Sequence, residues 1–115
     1  MKKPLKISLL FLAGIIIIGL TVVLVKNQPK QILFYSNFCG HCLEVEKYIS
    51  ENKVKDDLVF RELEVSQNQV NSRLLSQKAA ICRVDNKEIG VPFFFDGEKC
   101  LIGSDEIINY FESKK

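Results

Sequence analysis

The feature that most constrains this chain is an apolar run near its start, ISLLFLAGIIIIGLTVVLV, from Ile7 to Val25. The run contains no charged residue. About 20 such residues cross a bilayer as an α-helix. Inside lipid every backbone N–H and C=O group needs an internal partner, and a helix provides one. A run without a polar face is not typical of a helix in a soluble core. We therefore expect a transmembrane anchor over residues 7–25.

A cleaved signal peptide is the alternative to an anchor. Signal peptides have a shorter apolar core and a small-residue cleavage site, whereas the residues around Val25 are not of the Ala-x-Ala type. We accordingly divide the chain into a basic tail (1–6), the anchor, a linker (26–30) and a folded domain (31–115). Three lysines precede the anchor and two follow it. Because positive charge tends to stay on the cytoplasmic side, this bias favours a folded domain outside the cytoplasm.

The charge of the folded domain differs from that of the whole chain. The chain has 115 residues and a net charge of +2. All 14 acidic residues come after residue 30, whereas five of the 16 basic residues lie within residues 1–30. The folded part is therefore slightly acidic and is not a nucleic-acid surface, for which a basic patch is typical. Its length suits one small domain.

Hydrophobic patterning predicts seven elements after the linker. They are a strand (31–36), a helix (42–52), a strand (58–65), a helix (67–82) capped by Ser66, two strands (93–95 and 99–102) and a final helix capped by Ser104. Asp96-Gly97 is a favoured turn between the last two strands. The first two strands with their crossover helix form a parallel unit. The hairpin adds antiparallel strands, so we expect a four-stranded mixed sheet with flanking helices.

Two cysteines, Cys39 and Cys42, lie between the first predicted strand and the first predicted helix of the domain. A helix N-terminus favours a thiolate through its partial positive charge and its free N–H groups. Such a thiolate attacks a disulfide and forms a mixed disulfide, and a second thiol nearby then resolves it. We therefore expect Cys39 to be the nucleophile and Cys42, one turn further along, to be the more buried resolving thiol.

Three neighbouring residues are candidates for roles at this pair. His41 lies between the cysteines, where an imidazole can stabilise a thiolate and make the disulfide a better oxidant. Gly40 lies beside it, and Phe38 immediately precedes Cys39. Phe38 is either an exposed part of a substrate-binding surface or a packed side chain.

A second landmark, Val91-Pro92, lies at the start of the third predicted strand, where a proline removes no ladder hydrogen bond. On frequency alone its peptide bond is expected to be trans. Together with Cys39-Gly40-His41-Cys42 after a strand, and with Gly103-Ser104-Asp105 further on, this dipeptide resembles the thioredoxin superfamily, and its glutaredoxin-like branch in particular. The resemblance covers about 32–111.

The resemblance implies a thioredoxin-like fold of the glutaredoxin type and a thiol–disulfide oxidoreductase that needs no cofactor. It implies that Cys39 attacks, that Cys42 resolves, and that a cis Val91-Pro92 bond faces the pair and guides substrate. The residues between the cysteines resemble those of protein disulfide isomerases rather than the Pro-Tyr of typical glutaredoxins. Glutaredoxins that bind glutathione usually have paired glycines before the last helix, where this chain has Ile102-Gly103.

The two remaining cysteines, Cys82 and Cys100, are the candidate structural disulfide. In a thioredoxin-like fold the end of the second helix lies near the fourth strand, and a domain outside the cytoplasm permits a disulfide. Alternatively, the two remain reduced and pack as small apolar side chains. A zinc site formed by all four cysteines is disfavoured because zinc motifs usually have two close pairs, and Cys82 and Cys100 are far apart in sequence.

These patterns together predict a single-pass membrane protein that exchanges disulfides with protein substrates and is recycled by a membrane or soluble redox partner. No metal and no nucleic-acid partner is expected. A cytoplasm-facing, glutathione-dependent glutaredoxin and a non-catalytic binding or assembly module are the alternatives. The patterns leave open whether the protein oxidises, reduces or isomerises.

Overall fold

The computed structural model describes residues 3–26 and 29–115, so parts of the predicted tail and linker lie outside the described residues. The elements in chain order are α1 (Lys3–Lys26), β1 (Ile32–Tyr35), α2 (Gly40–Glu51), α3 (Val54–Asp57), β2 (Arg61–Glu64), α4 (Gln69–Ile81), β3 (Phe93–Phe95), β4 (Cys100–Ile102) and α5 (Ser104–Ser113). Helix α1 contains a stretch, Pro4–Val23, with mean hydropathy 2.5, which is long and apolar enough to cross a membrane.

The four strands form one mixed sheet in the order β2-β1-β3-β4. Strand β1 is parallel to β2 and antiparallel to β3, and β3 is antiparallel to β4. This arrangement confirms the predicted four-stranded mixed sheet with flanking helices. The chain reverses between β3 and β4 in a turn that contains Gly97. The φ of Gly97 is 107°, an angle that glycine adopts more readily than other residues.

Side chains alternate between the two faces of the sheet and create two cores. On one face Leu33 and Phe94 pack against α2, α3 and α5. On the other face Phe34, Phe93 and Phe95 pack against α4. The run of three phenylalanines is therefore buried on both faces, as expected for a central strand covered by helices on each side.

The start of the helix predicted over 67–82 was wrong, because α4 begins at Gln69. Helix α4 is capped by Asn68, whose Oδ1 accepts a hydrogen bond from the Asn71 N–H at 3.1 Å, and not by Ser66. The backbone N–H and hydroxyl of Ser66 instead donate to the Glu64 carboxylate. Residues 66–68 therefore form a turn before the helix begins. The Ser66 hydroxyl is bonded to the Glu64 carboxylate and does not cap the helix.

The sequence pattern predicts a buried apolar stripe of Val70, Leu74, Leu75 and Ile81 on this helix, and this prediction was partly wrong. Val70 and Ile81 are exposed, while Leu75 and Ala79 form the buried side. At about 100° per residue, Val70 is rotated about 140° from Leu75, which turns it toward solvent. The short helix α3 was not predicted. The strand expected over 58–65 is shorter than predicted, since β2 begins at Arg61 and ends at Glu64.

The last helix is capped by Gly103 rather than by Ser104. Gly103 has a φ of 94°, in the region that favours glycine, and Ser104 is the first helical residue and is buried. The Gly103 N–H donates to the Pro92 carbonyl at 3.0 Å, which fastens the start of α5 to the loop before β3. Two acidic residues, Asp105 and Glu106, lie in the first turn of α5, where negative charge suits the helix dipole.

Candidate active site

Cys39 caps the N-terminus of α2, which begins at Gly40, two residues before the predicted start at residue 42. Its backbone is extended, and its Sγ accepts a hydrogen bond from the Cys42 backbone N–H at 3.2 Å. A sulfur at this position takes the place of the oxygen of a usual capping side chain and meets one of the free N–H groups of the helix. The sequence folds this way because β1 ends at Tyr35 and a short turn brings the Cys39 N–H to the Ser36 carbonyl at 3.3 Å. Cys39 is half-buried and therefore reachable.

Cys42 lies beneath Cys39 and is 1% exposed. Burial, and after it the hydrogen bond with Cys39, raises the pKa of the Cys42 thiol from 9.0 to about 12. Both cysteines are free thiols in this structure. The pair is thus asymmetric, with one reachable sulfur at the helix end and one sequestered thiol that stays protonated at neutral pH.

The loop before β3 lies against this pair. The Val91-Pro92 peptide bond is cis, and the Cys39 S–H donates to the Val91 carbonyl oxygen at 3.5 Å. Pro92 is fully buried, and its carbonyl accepts the Gly103 N–H. The structure therefore brings together Cys39, Cys42, Val91, Pro92 and the start of α5, which come from three separate stretches of the chain.

His41 is exposed and turned toward the next helical turn. Its Nδ1 is 3.4 Å from Oε2 of Glu44. The Ser104 hydroxyl, and after it His41, lowers the pKa of the Glu44 carboxyl. The sequence pattern alone places Glu44 on a solvated helix face, although its spacing of three residues from His41 on a helix is a signal for this contact. The imidazole is thus held beside a carboxylate at the mouth of the site.

Two exposed apolar side chains flank the two cysteines along the chain. Phe38, directly before Cys39, is 78% exposed and therefore lies on the surface rather than packed in the core, and Gly40 is also exposed. Leu43, directly after Cys42, is 62% exposed and was not among the predicted site residues. These two side chains give the Cys39–Cys42 segment an apolar rim, the kind of surface that contacts other proteins.

The second pair of cysteines lies apart from this site. Cys82 and Cys100 form a disulfide with a sequence separation of 18, which joins the end of α4 to the first residue of β4. Both are half-buried beside the α4 core. The bond ties the edge strand of the sheet to the helix that covers it.

Removal of this bond is expected to destabilise the domain. Replacing Cys82 and Cys100 together by alanine should lower the free energy of unfolding by about 3 kcal/mol, because a closed loop of this length restricts the unfolded chain. Urea unfolding of the full chain in detergent, followed by circular dichroism, measures the difference. An unchanged midpoint in the double variant would contradict the expectation.

The two active-site thiols should differ in alkylation rate. In Cys39→Ser, where Cys42 is the only free thiol, iodoacetamide should react at neutral pH at least about tenfold more slowly than with an exposed cysteine. Burial raises the pKa of the Cys42 thiol and shields its sulfur from the reagent. Cys42→Ser, which leaves Cys39 reachable, is the matched variant and should label readily. Mass spectrometry counts the adducts, and equal rates in the two variants would show that Cys42 is not sequestered.

Solved structures of glutaredoxins align with this chain. The wheat glutaredoxin crystal structure gives a TM-score of 0.51 at 19% identity and covers 83% of this chain and 80% of its own. The buckwheat glutaredoxin–glutathione complex gives a TM-score of 0.50 at 18% identity, and the alignment covers 73% of this chain and 69% of the buckwheat chain. Reduced glutaredoxin C1 from Populus tremula x tremuloides gives a TM-score of 0.50 at 22% identity, and the alignment covers 75% of this chain and 66% of the Populus chain. The fold is glutaredoxin-like. In this chain Cys39 lies at the helix N-terminus that follows the first strand.

The likeness to glutaredoxins is one of structure. The sequence matches no protein-family model and no curated protein. At identities of 15–22% the comparisons establish the glutaredoxin-like fold. The chemistry of the site depends on its own residues.

Proposed function

We propose that this chain is a membrane-anchored thiol–disulfide oxidoreductase that exchanges disulfides with protein substrates through Cys39 and Cys42. The observation that carries the proposal is the asymmetric pair, with Cys39 Sγ reachable at the N-terminus of α2 and Cys42 buried below it. The glutaredoxin-like fold is consistent with this chemistry. A purely structural pair would have no need of a reachable sulfur in contact with the Cys42 N–H and the Val91 carbonyl.

The exchange proceeds in two displacements. The Cys39 thiolate attacks one sulfur of a substrate disulfide, that S–S bond breaks, and the departing substrate thiolate takes up a proton. Cys42 then gives up its proton and attacks Cys39, which releases the second substrate sulfur as a thiolate. Two electrons have moved from the pair to the substrate, and Cys39–Cys42 is now a disulfide. The reverse sequence oxidises a substrate dithiol. In either direction a separate redox partner restores the pair.

The elements around Cys39 have distinct roles in these steps. The Cys42 N–H, 3.2 Å from Cys39 Sγ, stabilises negative charge on the sulfur. Burial keeps Cys42 protonated until Cys39 is engaged, so the second displacement follows the first. Fixing both sulfurs on one helical turn makes that second displacement intramolecular. His41, held beside Glu44, is placed to tune the pair from the mouth of the site.

Protein substrates are favoured over glutathione by the surface next to His41. A depression of about 350 Å³ is lined by His41 and residues 102–106, which include two carboxylates, Asp105 and Glu106, and no lysine or arginine. Glutathione carries two carboxylates and one ammonium, so this depression repels its net negative charge. The apolar rim of Phe38 and Leu43 instead suits an apolar protein segment.

The apolar helix α1 supports a membrane location for this activity. Its stretch Pro4–Val23 is long enough to span a bilayer, and its described side chains are almost all exposed. The Cys82–Cys100 disulfide is typical of proteins outside the reducing cytoplasm, which supports an extracytoplasmic domain. The basic residues before the apolar run favour the same orientation.

Two substrates assayed in parallel test the proposal. The full chain in detergent is expected to catalyse reduction of insulin by dithiothreitol and to accelerate removal of glutathione from a glutathionylated peptide far less. A chain that deglutathionylates the peptide efficiently and leaves insulin untouched would favour the glutathione-dependent alternative. A chain inactive toward both would favour a non-catalytic module.

A further inference from the structure

A groove of about 360 Å³ lies at the end of the sheet opposite the active site. Strand β1 runs from Ile32, which lines the groove, toward Cys39 at its other end. The start of β2, at Arg61, and the end of β3, at Phe95, lie at the same end of the sheet as Ile32. The groove therefore occupies the base of the domain, where the chain enters from α1.

Three cations line this groove and have no carboxylate partner. Within residues 3–26 and 29–115 the ion pairs are His41–Glu44, Lys47–Glu51 and Lys55–Glu62. None of these involves Lys30, Arg61 or Lys78, which all line the groove. The Lys78 ammonium lies 4.9 Å from the centre of the Phe95 ring. Three uncompensated positive charges around one groove favour an anionic ligand.

Acidic residues close in sequence to the groove-lining residues do not neutralise these cations by direct pairing. Glu62, which follows Arg61, pairs instead with Lys55. Asp96 follows Phe95 in the turn, and its Oδ1 accepts the backbone N–H groups of Glu98 and Lys99 at 2.8 and 2.6 Å. Asp96 is thus engaged within its own turn. Glu98, on the same turn, is exposed and is not among the residues that line the groove.

Apolar side chains share the groove with the cations. Leu74 and Ile81 from α4 line it, and Ile81 is 59% exposed. The exposure of Ile81 is notable because sequence patterning placed it in the core. A surface that combines cations with bare aliphatic side chains suits an amphiphile, with its anionic group on the cations and its hydrocarbon on the leucine and isoleucine.

Chain length holds this groove close to the membrane surface. Only three residue steps separate Lys26, the last residue of α1, from Pro29, which lines the groove. Their Cα atoms therefore lie within about 11 Å of each other. The headgroup layer on each side of a bilayer is about 5–8 Å thick. If α1 spans the bilayer, the groove is within reach of the headgroups.

We propose that this groove, defined by Lys30, Arg61, Leu74, Lys78 and Ile81, binds the headgroup of an anionic phospholipid of the bilayer that holds α1. The proposal rests on the membrane anchoring proposed above. Its consequence is an oriented domain. With its base on the lipid, the domain presents Cys39 at the end away from the membrane, toward substrates in the aqueous phase.

Photo-crosslinking in nanodiscs tests this proposal. The full chain is reconstituted into discs of phosphatidylcholine in which about one third of the lipid is phosphatidylglycerol. In one sample the diazirine is carried by the phosphatidylglycerol, and in the other by the same fraction of phosphatidylcholine. Mass spectrometry identifies the labelled peptides. We expect at least about fivefold more labelling of the peptides that contain Lys30 and Ile81 by the anionic probe.

Matched variants assign the effect to the groove. Lys30, Arg61 and Lys78 changed together to glutamine should reduce anionic labelling to the level of the neutral probe. The charge-conserving variant, with Lys30→Arg, Arg61→Lys and Lys78→Arg, should retain the preference. Lys53, Lys87 and Lys114 changed together to glutamine remove the same charge elsewhere and should also retain it. Equal labelling by the two probes, or a preference that survives in the groove variant, would overturn the proposal.

Two further readouts on the same discs separate this proposal from the function on which it rests. Release of the chain from membranes by alkaline carbonate would overturn the anchoring and the lipid site together. Retention of the chain with equal labelling by both probes would overturn the lipid site alone. Insulin reduction, measured in parallel, reports on the Cys39–Cys42 chemistry independently of both.

Discussion

Replacement of Cys39 by serine is expected to lower the rate of insulin reduction at least about 1000-fold. A serine hydroxyl at neutral pH does not attack a disulfide, so the first displacement is lost. Cys42 cannot take over this step, because it is 1% exposed and burial raises its pKa to about 12. The remaining two cysteines are bonded to each other at the other side of the sheet.

The matched control removes cysteines that lie outside the site. The double variant Cys82→Ala with Cys100→Ala should retain the insulin reduction rate within about threefold when assayed well below its unfolding temperature, since a loss of about 3 kcal/mol leaves most domains folded. If Cys39→Ser is as active as the wild type and the double variant loses activity, the chemistry belongs to Cys82 and Cys100 and the assignment to Cys39 is wrong. Circular dichroism of both variants confirms that each is folded.

Replacement of Phe94 by alanine is expected to lower the free energy of unfolding by about 3–5 kcal/mol. Phe94 is fully buried in the core beneath α2 and α5. Its ring centre lies 5.6, 5.4 and 5.2 Å from those of Phe60, Tyr110 and Phe111. Truncation therefore leaves a cavity lined by three aromatic rings, and these rings cannot collapse to fill it without leaving their own contacts.

The same chemical change at an exposed position provides the control. Phe38→Ala removes an identical set of atoms from a side chain that is 78% exposed, so the free energy of unfolding should change by less than about 0.5 kcal/mol. Urea unfolding of the full chain in detergent compares the two midpoints. Equal midpoints for Phe94→Ala and Phe38→Ala would mean that the aromatic cluster does not stabilise the domain as described.

Local patterns were sufficient for the strands and for the Cys39–Cys42 motif. The phenylalanines at 93–95 and the apolar residues at 32–35 are short apolar runs, a pattern typical of buried strands. Two cysteines that come directly before a helical pattern must lie near the N-terminus of that helix. The predicted four-stranded sheet follows from these elements and their order. These features depend on neighbours within a few residues, which a sequence displays directly.

Features that depend on competing local bonds or on distant neighbours were harder to predict. Ser66 has the composition of a helix cap, but Glu64 takes its donors, and Asn68 caps the helix instead. Val70 and Ile81 are apolar, yet the position of α4 on the sheet leaves them exposed. Glu44 meets His41 within α2, but Ser104 comes near it only when α5 packs against α2.

Trapping of the mixed disulfide tests the central claim most directly. The Cys42→Ser variant lacks the resolving thiol, so a disulfide-containing substrate should remain covalently attached, and mass spectrometry of the non-reduced peptides should locate the bond at Cys39. The Cys39→Ser variant, treated in the same way, should accumulate no adduct. An adduct on Cys42 in Cys39→Ser, together with none in Cys42→Ser, would contradict the assignment of Cys39 as the attacking thiol.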